Sequence, residues 1–570
     1  MLKVYSAYEQ ACERGGMVDF GELLLRSHEL WLKNPGLLAH YQNRFQHILV
    51  DEFQDTNAIQ YAWLRVLAGT RAGVTAVGDD DQSIYGWRGA RIENIQQFST
   101  DFANAEIVRL EQNYRSSGNI LKAANTLIAN NTGRLGKELW TEDKDGEAIS
   151  VYSAYNEQDE ARFICGQIQT WKDMGNRLNE AAILYRSNAQ SRELEEAMLR
   201  VGMAYRIYGG FRFYERQEIR NAMAYMRLVS NRNDDAAMER VINTPVRGIG
   251  NKTLDTLRNF ARSNNLSLWR AASQMMAEQL LPSRASLSLS GFMTLINDLE
   301  EQASGRDLNH LCEQVITRSG LIGHYEKEGG EKAKIRKENL EELINAAKSF
   351  TQEELDNKNE GSIMDILAAF VDKAALDAGD TQAGAGEDAV QLMTLHSAKG
   401  LEFPLVFIAG LEEGLFPHQM SIDSQSGLEE ERRLCYVGIT RAMQKLYLCH
   451  AESRRLHGEE TLTRPSRFLK EIPQELLEEV RLQGRISRSS FFHEYGKNTH
   501  NSGEHANIAY SASSGDNESL SLGQRVRHPK FGEGVVLNCE GKGKNARIQI
   551  NFDEVGGKWL VMSYARLEAI

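Results

Sequence analysis

Asp51 and Glu52, two adjacent carboxylates closing the apolar run HILVDEFQDT, are the first side chains whose placement suits chemistry. A short β-rich run that ends in acids delivers them where parallel α/β sheets hold their ligands. Asp51 there suits Mg²⁺, directly or through water, and leaves Glu52 free to polarise a water for attack on a phosphate. A strand ending in a solvated acidic turn would look the same. A second group lies in AVGDDDQSIYGWRGA (76–90), where a strand-like run meets three acids, then Gln82, then Tyr85 and Trp87 beside Arg88. A glutamine after a strand can orient water or sense a γ-phosphate. Two aromatics among glycines suit a platform for unpaired bases, worth about 1–3 kcal/mol per stacked base; core aromatics are the other reading. Arg115 and Arg441 are of the type that stabilises a transferring phosphoryl group, although a lone arginine more often sits in a surface ion pair. The loop in TLHSAKGLEF, with Thr394, His396 and Lys399, then Glu402, has groups that could touch a backbone phosphate and a nucleotide sugar, although spacing alone does not prove it.

The elements that must position these groups are short, continuously apolar runs between helix-like stretches. They are HILVD (47–51), GVTAVG (73–78), AEIVRL (105–110), ISVYSAY (149–155), AAILYRS (181–187), VQLMTLHS (390–397), PLVFIAG (404–410) and KLYLCHA (445–451). Strands alternating with helices predict parallel sheets of βαβ units, and burial on both faces explains the continuous apolarity. Residues from about 210 to 380 carry helical patterns and almost no strand signal, which predicts a helical domain inserted into an α/β domain. Residues 484–520 are polar, Ser/Asn/Gly-rich and aperiodic, as in a flexible linker. Residues 522–570 alternate strand-like runs with glycine turns and hold eight Lys/Arg against five Asp/Glu, predicting a small β-barrel.

The chain has 570 residues, enough for about three to five domains at roughly 100–200 residues each. It is 41% hydrophobic and 25% charged, a soluble balance that supports large cores. No apolar run reaches the roughly 18 residues of a membrane span, and the first twenty residues have no signal-peptide pattern. Six cysteines without any C-x-x-C pair fit reduced thiols rather than disulfides or a zinc site. The net charge of −13 offers no global attraction for nucleic acid, so DNA binding must rest on local features.

Taken in order, these segments resemble the motifs of superfamily 1 DNA helicases of the UvrD/PcrA/Rep type, over essentially residues 1–480, and the barrel resembles their tail. The resemblance implies two RecA-like motor domains, a helical insert and an SH3/Tudor-like barrel. It assigns residues 1–45 to a helical-subdomain remnant, 46–111 to a partial first motor domain, and 112–208 with 382–480 to the second. The helical insert is then 209–381 and the barrel 522–570. It implies that Asp51 holds Mg²⁺, Glu52 is the catalytic base and Gln82 couples the γ-phosphate to DNA. Tyr114 would stack on adenine, Arg115 and Arg441 would contact the γ-phosphate, and Glu402 would hold the ribose. Phe20, Tyr85, Trp87, Thr394 and His396 would meet single-stranded DNA. TPVRGIGNKTL (244–254) resembles a helix-hairpin-helix turn whose Gly248 and Gly250 region grips a duplex phosphate; a plain helix-to-helix turn has the same form.

The implied function is an ATP-dependent, Mg²⁺-requiring 3′–5′ DNA helicase of nucleotide excision and mismatch repair, cytoplasmic and nucleoid-associated. Its partners would be single strands and single/double-strand junctions, with RNA polymerase and repair proteins reached through the barrel, and no membrane. Two departures stand out. No phosphate-binding loop G-x-x-x-x-G-K-[ST] occurs, and only about fifty residues precede Asp51 where the family has well over a hundred. The expectation is an N-terminally shortened chain with an incomplete first motor domain. His457 stands where the strand-separating hairpin tends to carry an aromatic. The alternative function is an inactive fragment that binds DNA and RNA polymerase.

Overall fold

The computed structural model describes residues 2–70, 73–102, 105–303, 307–356, 362–379, 386–456 and 459–480. In the tail it describes 525–528, 532–540, 547–552, 556–561 and 567–569. The chain forms two units, Met1–Val480 and Arg481–Ile570. The expected linker, 484–520, lies outside the described residues.

Strands β1 (His47–Val50) and β2 (Gly73–Ala76) pair in parallel, joined through the helix Ala58–Ala68. Asn57 and Gln60 start that helix with a reciprocal capping box. Its Tyr61 and Leu64 pack with Phe53 against Ile48, Val50 and Ala76. The run 105–110, expected as a strand, forms no ladder, and Val108 and Leu110 are exposed. A strand needs a ladder partner, and among the described residues β1 and β2 pair only with each other.

The larger sheet comprises β3 (Ile149–Ala154), β4 (Ala181–Tyr185), β5 (Tyr205–Ile207), β6 (Val390–Thr394), β7 (Phe403–Ile408), β8 (Ala442–Ala451) and β11 (Leu477–Glu479). The hairpin β9 (Ser453–Leu456) and β10 (Glu459–Leu462) stands apart from it. The sheet order is β11–β3–β8–β7–β4–β6–β5, with every adjacent pair parallel. Alternate residues explain the continuous apolar runs. Ile183, Tyr185, Leu405 and Phe407 face the helices Glu157–Asp173 and Ser191–Arg200. Ala182, Leu184, Val406 and Ile408 face Gly118–Ile128 and Gln425–Ile439.

Between β5 and β6, which are neighbours in the sheet, the described residues of 213–379 form helices and no strand. Their core includes Ile219, Met226, Phe292, Val315, Leu343 and Phe370. In the tail, β12 (Arg525–His528), β13 (Gly532–Glu540), β14 (Arg547–Phe552), β15 (Gly556–Val561) and β16 (Glu568–Ala569) form an antiparallel sheet ordered β15–β14–β13–β12–β16. Val526 and Ile550 are buried in it.

Candidate nucleotide and single-strand site

Asp51 and Glu52 leave β1 where the chain turns back under β2, with Phe53 N donating to Val77 O at 2.9 Å. Glu52 adopts a left-handed backbone, φ 50° and ψ 43°. That conformation costs a non-glycine residue about 1–2 kcal/mol and tends to persist at functional sites. Glu52 is not free, as the sequence suggested. Its Oε2 accepts from Gln54 Nε2 at 2.5 Å and pairs with Lys399 Nζ at 3.2 Å. Lys399, almost fully buried, also pairs with Asp55 Oδ2 at 2.7 Å and donates to Gln82 O at 3.0 Å. Burial raises the pKa of Asp55, and Lys399 opposes that shift. A loop from the larger sheet thus neutralises the acid of the smaller one. Asp51 is exposed, its Oδ1 accepting only from Glu52 N at 2.9 Å, and no cation pairs with it among the described residues. It lines a cavity of about 350 Å³ with Glu52, Asp55 and Thr56. An accessible carboxylate beside a hydroxyl is an oxygen donor set that fits Mg²⁺.

After β2 the chain makes a tight turn through Asp79, Asp80 and Asp81. Asp79 caps it through Asp81 N at 3.0 Å and accepts from Gln82 Nε2 at 2.7 Å. Oxygens of the three carboxylates lie within 4.8 Å of one another. Arg134 and Lys137 pair with Asp81 and Asp79, and Asp80 Oδ2 accepts from Leu135 N, so each of the three carboxylates is already engaged by the protein.

Tyr85 and Trp87 follow at once. Their rings meet edge-on at 6.4 Å, and His396, from the loop after β6, stands 6.5 and 6.3 Å from the two. Arg88 lies over both rings and Lys399 over Tyr85. Tyr85 OH donates to His396 O at 3.3 Å. Trp87 is 47% exposed, which removes the core-aromatic reading for that ring. Burial, with Arg186 and Arg88 nearby, pushes the His396 pKa down to about 3, so the ring is neutral at physiological pH. Thr394 Oγ1 is bonded to Ser397 Oγ at 3.0 Å.

Because β6 and β7 are both parallel to β4, the chain between them must return from the carboxyl end of one to the amino end of the other. This carries His396 at one end of residues 395–402 and Glu402 at the other. Glu402 Oε2 accepts from Arg115 Nε at 2.5 Å, so the two residues expected on ribose and γ-phosphate are partnered with each other. Arg441 is buried, donating to Val437 O, Leu401 O and Thr440 Oγ1 at 3.0, 3.0 and 3.1 Å. Burial and then Arg115 lower its pKa to about 10. A buried guanidinium with a second one close by forms a place where an anion is favoured. Tyr114 beside them is 80% exposed.

Phe20 opens the helix Phe20–Lys33 and is 89% exposed. Gly248 has φ +79°, and Gly250 caps the helix Asn251–Asn264; both lie in the helical region between β5 and β6. Asn243 Oδ1 accepts from the N–H groups of Arg247 and Ile249 there, at 2.7 and 3.3 Å. His457 lies outside the described residues. Sequence reasoning placed Lys399 in a polar loop without seeing that it bridges the sheets. It also missed Gln54, Arg134 and Lys137. The one available signal was a lysine between small residues, SAKG, close after a strand.

Residues 108–453 match the family model of the UvrD-like helicase C-terminal domain, residues 1–103 that of the UvrD/REP helicase N-terminal domain, and residues 522–568 that of the PcrA/UvrD tudor domain. DNA helicase II of Escherichia coli (strain K12) is 57% identical over 569 residues, covering 100% of this chain and 76% of that protein. The same-named protein of Haemophilus influenzae (strain ATCC 51907 / DSM 11121 / KW20 / Rd) is 52% identical over 569 residues, again covering 100% and 76%. ATP-dependent DNA helicase PcrA of Bacillus subtilis (strain 168) is 40% identical over 567 residues, covering 99% and 76%.

Proposed function

This chain belongs to the UvrD/PcrA family of DNA helicases, and from that premise we propose that it serves as an ATP-dependent DNA helicase in DNA repair. Translocation runs 3′ to 5′ along a single strand, in excision and mismatch repair. The observation that carries the reading is Lys399, whose ammonium touches Glu52, Asp55 and Gln82 on one side and the Tyr85 ring on the other. A nucleotide-side acid and a base-stacking platform are therefore held by one cation, as a motor that couples hydrolysis to strand movement requires.

Asp51 would hold Mg²⁺, which when bound neutralises charge on the phosphates. Glu52 draws a proton from the attacking water once Lys399 yields it. Gln82 orients that water, and Arg115 and Arg441 turn toward the γ-phosphate, releasing Glu402 to the ribose while Tyr114 stacks on adenine. Tyr85, Trp87, His396 and Phe20 carry bases, Thr394 a backbone phosphate, and the Gly248–Gly250 turn the duplex. The boundaries that fit are 46–111 for a partial first motor domain, 112–208 with 382–480 for the second, 209–381 for the insert and 522–570 for a docking module for RNA polymerase or repair proteins. Among the described residues no helix is long and apolar enough to cross a membrane.

The 570 residues hold no G-x-x-x-x-G-K-[ST] loop, so turnover is the decisive measurement. Single-strand-stimulated ATP hydrolysis by this chain, lost in Arg441→Ala with strand affinity retained, is the expected result. Strand binding without any stimulated hydrolysis would refute the enzyme reading and leave the DNA-binding one.

A further inference from the structure

Residues Asn131–Lys137 follow the helix Gly118–Ile128 and are rooted on the unit that carries the seven-stranded sheet. Asn131 donates to Glu429 O at 2.9 Å and accepts from Arg432 Nη1 at 2.6 Å. Thr132 Oγ1 donates to Glu429 Oε1 at 2.8 Å, and Lys137 lies over the Tyr436 ring at 5.6 Å. The opposite side of the same segment takes hold of the turn after β2. Arg134 grips Asp81 with two parallel bonds, Nε to Oδ1 at 2.7 Å and Nη2 to Oδ2 at 2.6 Å. Leu135 N donates to Asp80 Oδ2 at 2.8 Å. Lys137 pairs with Asp79 and stands 3.5 Å from Asp81 Oδ2. Each of three consecutive carboxylates is taken by a different donor from one four-residue stretch.

From Asp79 the contacts branch. Its Oδ2 accepts from Gln82 Nε2 at 2.7 Å. Its N–H donates to Gln54 Oε1 at 2.9 Å, and Gln54 Nε2 reaches Glu52 Oε2 at 2.5 Å. We infer that Asn131–Lys137 is a positioning strap, through which Lys137 holds Asp79, with Arg134 fixing the neighbouring Asp81, and so sets the side chains of Gln82 and Glu52. The inference rests on the function proposed above, because Gln82 and Glu52 are taken there to act on water and phosphate. Neither side chain has a bond to the strap; the effect passes through Asp79. A glutamine that donates its amide N–H to Asp79 presents its carbonyl oxygen outward, the atom able to accept from an attacking water. Lys137 fixes the carboxylate that fixes this orientation. Because the strap is anchored on Glu429 and Arg432 of the helix Gln425–Ile439, it gives the flank of the larger sheet a second route to Gln82, beside the direct bond from Lys399 to Gln82 O. Supporting groups of this kind lock a reacting side chain in the geometry it needs.

The test uses the full chain with Lys137→Met and Lys137→Arg. Arg134 stays intact, because Asp81 is 1% exposed and loss of its bidentate partner endangers folding. Lys137→Met is expected to lower the single-strand-stimulated kcat at least tenfold, with KM for ATP, oligo-dT affinity and melting temperature each close to the unvaried chain. Lys137→Arg is expected to restore kcat to within threefold. An unchanged kcat in Lys137→Met, or parallel losses in kcat, KM and strand affinity, overturns the strap. If the unvaried chain shows no turnover, the proposed function falls, and hydrogen exchange judges the strap separately. Amides of 79–88 exchanging at least tenfold faster in Lys137→Met, with those of 181–185 unchanged, support it; unchanged exchange at 79–88 overturns it.

Discussion

Replacing Lys399 by methionine keeps the length of a side chain that is 6% exposed while removing its charge. Two losses bear on single-strand binding. The ammonium no longer sits 5.4 Å from the centre of the Tyr85 ring, an attraction worth about 1–2 kcal/mol when largely desolvated. The bond to Gln82 O, which ties the loop below Tyr85, goes with it. Affinity for oligo-dT should therefore fall about 5- to 30-fold. Trp87→Ala should remove a stacked base worth about 1–3 kcal/mol. Because Lys399 supports Tyr85 and Tyr85 abuts Trp87 at 6.4 Å, the double variant should lose less than the sum by about 0.5–1 kcal/mol. Fluorescence anisotropy of labelled oligo-dT across a salt series measures all four corners of this cycle. Lys399 faces carboxylates and a ring rather than phosphate, so the slope of log Kd against log salt should not change. A slope smaller by about 0.7, the signature of a lost phosphate contact on a single strand, would refute the argument. Additivity within about 0.3 kcal/mol would refute it equally.

Phe20→Ala should leave the melting temperature unchanged, since the ring is exposed, yet weaken oligo-dT binding by about 1–3 kcal/mol if a base stacks there; equal affinity removes Phe20 from the strand path. Gly248→Ala meets no close neighbour but must hold φ +79°, a strain of about 1–2 kcal/mol. Duplex binding should weaken while oligo-dT binding holds, and equal duplex affinity by anisotropy assigns the turn a purely structural role. Glu195, bonded by Ser191 Oγ at 2.6 Å and by Phe213 N, is raised by burial from 4.5 to about 7, against the pull of Arg216. The folded chain then holds a proton that the unfolded chain has released, so this contribution to stability is full below pH 4.5 and is lost as pH rises through 7. Relative to the unvaried chain, Glu195→Gln should gain roughly 2–3 kcal/mol between pH 5 and pH 8 in paired denaturation curves, and a pH-independent difference contradicts the shift.

Much of this protein was legible in one dimension. Runs such as AAILY (181–185) and LVFIA (405–409) are continuously apolar, as a short strand buried on both faces requires, and β4 and β7 are such strands. The helical stretch between β5 and β6 and the strands β12–β15 followed from local periodicity. Asp51 and Glu52 announced themselves because they directly follow β1, so local chain geometry alone puts them at a sheet's end; Gln82, Tyr85 and Trp87 stand 6, 9 and 11 residues beyond β2 and were legible from residue type. What sequence could not supply was the partner of each charge. Lys399 lies 347 positions from Glu52 and meets it only because residues 395–402 must cross back to start β7. Arg115 meets Glu402, and Arg134 meets Asp81, by the same long-range closure. The strand expected at 105–110 failed for the complementary reason: a β-rich run becomes a strand only when a neighbour offers it a ladder. Local pattern determined which elements form and which side chains stand at their ends. Tertiary structure alone decided which charges are neutralised, because an ion pair depends on distance through space, and sequence separation carries no information about that distance.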